Sequence, residues 1–406
     1  MAEEETIDRN PLQKDYLINL NLSLQWNRWI LEPFGVWPRS SNISSLRRCF
    51  NWLRRVVSIL LITFIVVPFA VYSMVEVEDA YNRLKLFGPM SFFLMVYMKF
   101  YSLVNSASQF CLCMDQIEWD WKNMKYPKDR DIMVANANLG RRLVKTCVLF
   151  TYCGFVFYYV ASPIAVGRVT MENITFVPTP FPVARLIADI RYSPANEIFI
   201  CGQFFSGFVL HGVAIGACSF AAVFAVHACG QVGILIDWLE HLTTGRTDMS
   251  ASVDERIANV VSQHVRVLKF LSITEEALQQ ISFVEFIGCT LNLCLLGYYV
   301  IREWDTSVAA SVTYFIIFIS FGFNIFIFCY IGELVSEQCT KVGEVAYMID
   351  WYRLRGKRKH CVILIMAMSN ASTKLTAGNM VELSLSTFGD VVKTAVGYMN
   401  MLLALT

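Results

Sequence analysis

The sequence predicts an all-α integral membrane protein of seven transmembrane helices, with a cytoplasmic amino terminus, an extracellular carboxyl terminus and further helices on the cytoplasmic side. Three observations carry that expectation. Of 406 residues, 55% are hydrophobic and only 17% charged, which is more apolar surface than one soluble core can hide. Seven stretches are long enough to cross a bilayer, which takes about 20 mostly apolar residues. Lysine and arginine concentrate in alternate connecting segments, as the positive-inside bias requires.

The first apolar run opens at Val56, behind a mixed segment holding Pro11, Pro33 and Pro38, so no cleavable signal peptide is expected. The spans cover approximately 56–76, 86–113, 144–165, 198–226, 280–301, 307–331 and 379–403. Residues 56–75 and 307–332 contain no charge at all. The last span is the weakest, because Glu382, Asp390 and Lys393 interrupt it. The apolar stretch 361–368 is too short to cross and reads as the end of a cytoplasmic helix. The chain thus divides into a cytoplasmic segment 1–55, a six-span bundle 56–331, a cytoplasmic helix within 332–378 and a final helix in 379–406.

With the amino terminus inside, the cytoplasmic segments carry 25 lysines and arginines, while the outer loops hold six: Arg83, Lys85, Arg168, Arg185, Arg191 and Arg302. That asymmetry sets the orientation. Of the Asn-X-Ser/Thr sequons at Asn21, Asn42, Asn173 and Asn370, only Asn173 then falls outside, as a glycosylation candidate or a chance tripeptide. Its loop also contains Pro178, Pro180, Pro182 and Pro194, which prevent a simple helix and suit a lid over the bundle. Segment 227–280 keeps helical periodicity with a charge at each turn, the pattern of spans that project into the cytoplasm and pack there.

A net charge of +1 argues against nucleic acid as a partner. The 13 cysteines lie mostly inside apolar runs, where a thiol acts as a small hydrophobe, so neither a disulfide framework nor a metal site is expected. The sequence has no GxSxG, phosphate loop, HExxH or CxxC, and its five histidines are scattered. Neither an enzyme nor a cofactor is predicted.

Two constellations remain. The outer halves of the spans are aromatic and nearly chargeless: Phe92, Phe93, Val96 and Tyr97, then Phe157, Tyr158 and Ala161, then Phe204, Phe205, Phe208 and His211, then Tyr314, Phe315 and Phe318. They are either packing and lipid-facing residues or the lining of an apolar pocket for a small volatile ligand. The last span is the second. Asp390 and Lys393 stand at i and i+3, where a local ion pair lowers their cost in the membrane, and the helix either packs inside a bundle or lines a pore. Beyond Lys393, Gly397, Met401 and Leu405 suit a hydrophobic constriction, with Met401 and Leu405 on one face. Gly202, Gly207, Gly212 and Gly216 predict close helix approach in the fourth span. Lys99 either snorkels or meets an acidic partner such as Glu285.

Several ordered runs resemble the insect odorant receptor family. They are Cys329-Tyr330-Ile331-Gly332-Glu333-Leu334, Ala346-Tyr347, Trp351-Tyr352, Lys374-Leu375-Thr376-Ala377-Gly378, and Phe388 through Lys393-Thr394 to Tyr398 and Leu402-Leu403. Trp26-Asn27-Arg28 and Phe34-Gly35-Val36-Trp37-Pro38 are similar to its hymenopteran members. One departure is Gly397, where the family often carries serine. The resemblance implies an odour-tuning subunit of a ligand-gated, non-selective cation channel, four subunits around one pore, shared with an odorant co-receptor in the plasma membrane of olfactory sensory neurons. It implies a pocket among spans two to six and a pore lined by the last helix. It also implies cytoplasmic anchor helices between subunits, where Tyr347, Trp351 and Tyr352 fall. A gustatory-type receptor shares this architecture. A G-protein-coupled receptor needs the opposite orientation, and a transporter would show an internal repeat that the sequence lacks.

The charge asymmetry makes a direct prediction. An epitope at Thr406 is labelled on intact cells, and labelling that requires permeabilisation would overturn the orientation.

Overall fold

In the computed structural model, residues 11–38, 44–171, 174–304, 308–370 and 374–405 are described. The architecture is all-α and membrane-spanning. The helices are α1 (Pro11–Leu31), α2 (Ser45–Val75), α3 (Ala80–Asn105), α4 (Ala107–Lys122), α5 (Pro127–Val156), α6 (Ser162–Val166), α7 (Ala195–Glu240), α8 (Val253–Arg302), α9 (Val308–Met348), α10 (Arg358–Asn370) and α11 (Leu385–Leu405). Two antiparallel hairpins complete it: β1 (Val169–Met171) with β2 (Ile174–Phe176), and β3 (Thr376–Ala377) with β4 (Val381–Glu382).

Among the described residues, six helices are long and apolar enough to cross a membrane, namely α2, α3, α5 with its extension through α6, α7, α8 and α9. The shorter α11 is the seventh span, diluted by Asp390 and Lys393. At a rise of 1.5 Å per residue, the 46 residues of α7 and the 50 of α8 run about 70–75 Å, more than twice the hydrocarbon thickness of about 30 Å. The excess forms a second bundle on the side that the charge bias assigns to the cytoplasm, where α4, the first half of α5, α10 and the ends of α7, α8 and α9 pack together. Asp120 accepts from His227 Nε2 at 2.9 Å there, and Arg246 joins Asp129 at 2.9 Å to Asp237 at 2.5 Å.

Helix α7 is the axis, with 94% of its most apolar window buried against 28% for α2. Its glycines make this possible. A Cβ at Gly202, Gly207, Gly212 or Gly216 would collide with Phe64, Tyr159, Phe34 or Leu31 respectively, so α2, the π-turn after α5 and the end of α1 reach the α7 backbone itself. Similarly, Gly332 on α9 admits the Leu383 carbonyl, which seats the start of α11.

The elements differ from the sequence expectation at four places. The second span does not run to 113: it ends at Asn105, and the chain bends at Ser106 into α4, a break that apolar content does not signal. The third span leaves α-geometry at Phe157–Ala161, a π-helical turn ahead of Pro163, whose ring and missing N–H bar a regular continuation. The expected helix in 332–378 is instead the end of α9, a 3-10 turn over Trp351–Arg353, α10 and β3, and the last span, expected from 379, starts only at Leu385, because Glu382 lies in β4 of the preceding hairpin. Asn173 lies outside the described residues.

Lys99 of α3 and Glu285 of α8 form an ion pair with both side chains fully buried, and Cys289 Sγ donates to the same carboxylate at 3.1 Å. Removing one partner strands a fully buried charge, which costs about 3–5 kcal/mol, whereas replacing both with apolar residues is close to neutral. Lys99→Met is therefore expected to lose most of its thermal stability in detergent, and Lys99→Met/Glu285→Met to regain it. A single variant as stable as the parent would refute this role.

Candidate functional site

A cavity of about 240 Å³ opens among the halves of the spans that the charge bias assigns to the outside. Its wall takes Phe69 from α2, Lys85, Leu86, Gly88, Pro89 and Phe92 from α3, Thr151 and Gly154 from α5, and Tyr158 and Tyr159 from the π-turn. His211 and Ala214 come from α7, Asn292, Leu295, Leu296 and Tyr299 from α8, and Tyr314, Ile317, Ser320, Phe321 and Asn324 from α9. The outer loop closes it with Phe181 and Pro182. That loop is held by a reciprocal amide pair: Phe181 N donates to Gln203 Oε1 at 3.0 Å, and Gln203 Nε2 donates to the Phe181 carbonyl at 2.8 Å. The Phe181 ring then packs at 5.0–5.7 Å from Phe69, Phe93, Tyr158 and Tyr159. Farther along the loop, hydrogen bonds from Arg191 pull the Asp189 carboxyl down to about 2, so that clip stays charged at neutral pH.

Helical spacing explains why α3 and α8 face each other across this space. Lys85, Gly88, Phe92 and Lys99 follow one another at three, four and seven residues on α3, and Glu285, Asn292, Leu295 and Tyr299 at seven, three and four on α8. Ion pairs bracket the cavity. Lys99 with Glu285 lies toward the membrane interior, and Lys85 Nζ lies 2.7 Å from Glu303 Oε1 at the outer end, where Tyr81 also donates to Glu303 at 3.1 Å.

Of the candidate ligand residues, Phe92, Tyr158, His211 and Tyr314 line this cavity. Phe93 and Val96 are buried behind it in the core, with Phe93 edge-on to Phe181 and Phe69. Phe157 and Ala161 are half-buried in the π-turn outside the lining, Tyr97 is exposed, and Phe204 packs against Phe155 near the outer end of α7. Phe205 and Phe208 turn instead to a recess shared with Phe34 and α2. Phe315 and Phe318 face a different apolar cleft of about 580 Å³ between α8, α9 and α11. The resemblance implied a contribution from the fifth span, but sequence reasoning named none of the residues of the α8 wall. Its signal was present in Asn292 and Tyr299, the polar atoms on one face of an otherwise apolar span.

Helix α11 buries Val391 and Ala395 against α8 and α9, and leaves Asp390, Lys393, Gly397 and Met401 on its open face. Lys393 Nζ lies 3.5 Å from Asp390, in the local pair that their spacing predicts. The side chain of Leu405 falls outside what the structure describes. Beyond the bundle, Tyr347 and Tyr352 are exposed and Trp351 is half-buried. Asp237, Glu240 and His241 come within reach of one ion, but Lys128 and Arg246 already engage both Asp237 oxygens at 2.5 Å.

A family model described as 7tm Odorant receptor matches residues 84–396. The chain belongs to that family. Among its relatives, Odorant receptor 22c of Drosophila melanogaster is 25% identical over 155 residues, 38% of each chain. The Odorant receptor coreceptor of Ooceraea biroi is likewise 25% identical over 155 residues, covering 38% of this chain and 32% of that one. These matches span about two fifths or less of those relatives' lengths. The solved insect olfactory receptor OR5 from Machilis hrabei shares the fold with a TM-score of 0.81 at 15% identity, over 97% of this chain and all of that one. Its structure in complex with eugenol aligns at 0.79.

The outer ion pair of this odorant receptor family member is testable by charge exchange. Lys85→Glu and Glu303→Lys should each lower the stability measured in detergent by about 1.5–3 kcal/mol, the scale of one charged hydrogen bond. The double swap should restore it. A double variant as impaired as the single ones would remove the pair from the cavity's support.

Proposed function

We propose that the chain is the odour-tuning subunit of a ligand-gated cation channel, assembled with odorant co-receptor subunits in the plasma membrane of olfactory sensory neurons. The observation that carries the reading is one cluster of side chains. Leu295 and Tyr299 of α8 line the cavity, and with Tyr298 they pack against Met399, Leu402 and Leu403 of α11. A ligand that shifts α8 therefore pushes on the end of α11, whose open face carries Lys393, Gly397 and Met401. Polar groups on a spanning helix need water or a partner, and a central water-filled path lined by α11, with Leu405 at its tip, supplies it.

In this reading, the small volatile ligand contacts Phe92, Tyr158, His211 and Tyr314 first. The other aromatic candidates, Phe93 and Val96 among them, shape the wall from behind. The exposed Tyr347 and Tyr352, with Trp351 between them, form the cytoplasmic contact between subunits. Similarity to co-receptors as well as to numbered odorant receptors supports the shared assembly. The cavity is smaller than the roughly 300–1,000 Å³ typical of drug-sized sites, which fits a volatile molecule.

Odour-evoked current is expected from cells carrying this chain with a co-receptor, to be absent without the co-receptor, and to persist when guanine nucleotide exchange is blocked. Ala214→Leu should abolish the response by filling the cavity, and Leu295→Ala should weaken gating about tenfold at unchanged surface expression. Met401 substitution should change the current. Current that requires GTP would overturn the channel reading.

A further inference from the structure

Between Glu32 and Glu76 the sequence holds Arg39, Arg47, Arg48, Arg54 and Arg55 and no acidic residue. The last four of these lie at the start of α2, and the uncharged residues 56–75 that follow span about 30 Å, the hydrocarbon thickness. Arg54 and Arg55 therefore stand at the headgroup boundary on the side that the charge bias assigns to the cytoplasm, with Arg47 and Arg48 about 10 Å beyond it. Phe50 and Trp52, both exposed, mark the same level as interfacial aromatics.

Just inside that boundary, α2 does not close against its neighbours. A groove of about 370 Å³ runs between Leu53, Val57 and Leu61 of α2, Phe205 and Phe208 of α7, and Phe34 in the turn after α1. Val57, Phe205 and Phe208 are exposed there. Arg54 lines the cytoplasmic end of the groove, and Arg54, Val57 and Leu61 follow one another at three and four residues, so one face of α2 carries first the cation and then the apolar wall.

Arg54 keeps donors to spare. Its Nη1 donates to the Glu32 carbonyl at 3.0 Å, its guanidinium lies over the Phe50 ring at 4.3 Å, and its remaining N–H groups have no partner among the described residues. The Glu32 carboxylate is engaged by Arg28 at 2.9 Å. Arg55 is turned inward, its Nε donating to the Gly35 carbonyl at 2.6 Å. Arg47 and Arg48 are exposed and form no ion pair among the described residues. The positive-inside bias accounts for the arginines, but not for an apolar groove headed by one of them.

We infer that this groove binds one anionic phospholipid of the cytoplasmic leaflet, its acyl chain between α2 and α7 and its phosphate on Arg54, with Arg47 and Arg48 extending the cationic field toward the headgroup. That leaflet is the one rich in anionic lipid. Phe34, part of the groove, also lies on the α7 backbone at Gly212, so the bound lipid clamps the α1–α2 joint onto the central helix. The site lies on the lipid face of the bundle and does not depend on the role of the outer cavity.

The test titrates the full chain, purified in nonionic detergent, with phosphatidylserine, phosphatidylinositol bisphosphate and phosphatidylcholine of identical acyl chains, and with soluble inositol trisphosphate as a headgroup without a tail. Native mass spectrometry counts the bound lipid. An anionic lipid should be retained at one per chain, about tenfold more tightly than phosphatidylcholine, the scale of one charged hydrogen bond. Arg54→Gln should bring that preference toward one, and Arg54→Lys should keep most of it. Val57→Trp fills the groove while leaving every arginine in place, and should weaken binding of the anionic lipid about tenfold. Equal retention of phosphatidylcholine overturns the inference. So does anionic-lipid binding that survives Val57→Trp, the result expected of diffuse charge attraction, or inositol trisphosphate bound as tightly as the lipid, which would make the arginines a phosphate site without an acyl groove. Thermal unfolding without added lipid checks that each variant is folded, and Val57→Trp decides alone if Arg54→Gln is not.

Discussion

A buried lysine sets the geometry on which the rest depends. Neither Lys99 nor Glu285 can sit uncompensated in hydrocarbon, and each finds in the other the charge that makes its position tolerable. Pairing them fixes the rotation and the register of α3 against α8. Residues two, three and four turns farther along the same faces then point into a common space, which is how Phe92 comes to oppose Asn292, Leu295 and Tyr299. The outer pair of Lys85 with Glu303 repeats the device at the opposite end. Between two such pins, the helices can enclose a cavity without collapsing onto each other.

The second constraint is close approach to α7. Its glycines let Tyr159, Phe34 and Leu31 lie on bare backbone, so the central helix is sheathed on nearly all sides. A sheathed axis leaves movement to the periphery. Helix α8 touches the cavity on one face and α11 on another, and α11 is the span with an uncovered polar face. In the proposed channel, mobility and polarity therefore fall on the same helix, while the aromatic core around α7 stays fixed.

Much of the architecture was legible because the bilayer imposes a coarse rule on sequence. Long apolar runs mark spans, and the positions of Asp390 with Lys393 and of Lys99 with Glu285 suggested their pairing before any coordinates. The site was less legible. Aromatic residues fill the outer halves of all the spans, and composition alone does not separate Phe92, which lines the cavity, from Phe205 and Phe315, which face a recess and a cleft elsewhere. Helix rotation makes that difference. The π-turn at Phe157–Ala161 adds to it, since it carries both Tyr158 and Tyr159 to the wall, which a regular α-turn separates by about 100°. The contribution of Phe181 was equally hidden, because it arrives on a loop held by Gln203 from a distant part of the chain.

By itself, the sequence determined the fold class, the number of spans, the glycine-lined axis and the membership signalled by its carboxyl-terminal motifs, because these depend on local composition and spacing that water and lipid read directly. The tertiary structure alone decided which residues line the cavity, those of α8 and Phe181 of the distant loop among them. Those outcomes depend on contacts between residues far apart in the chain, and such contacts exist only after the helices have chosen their rotations and packed.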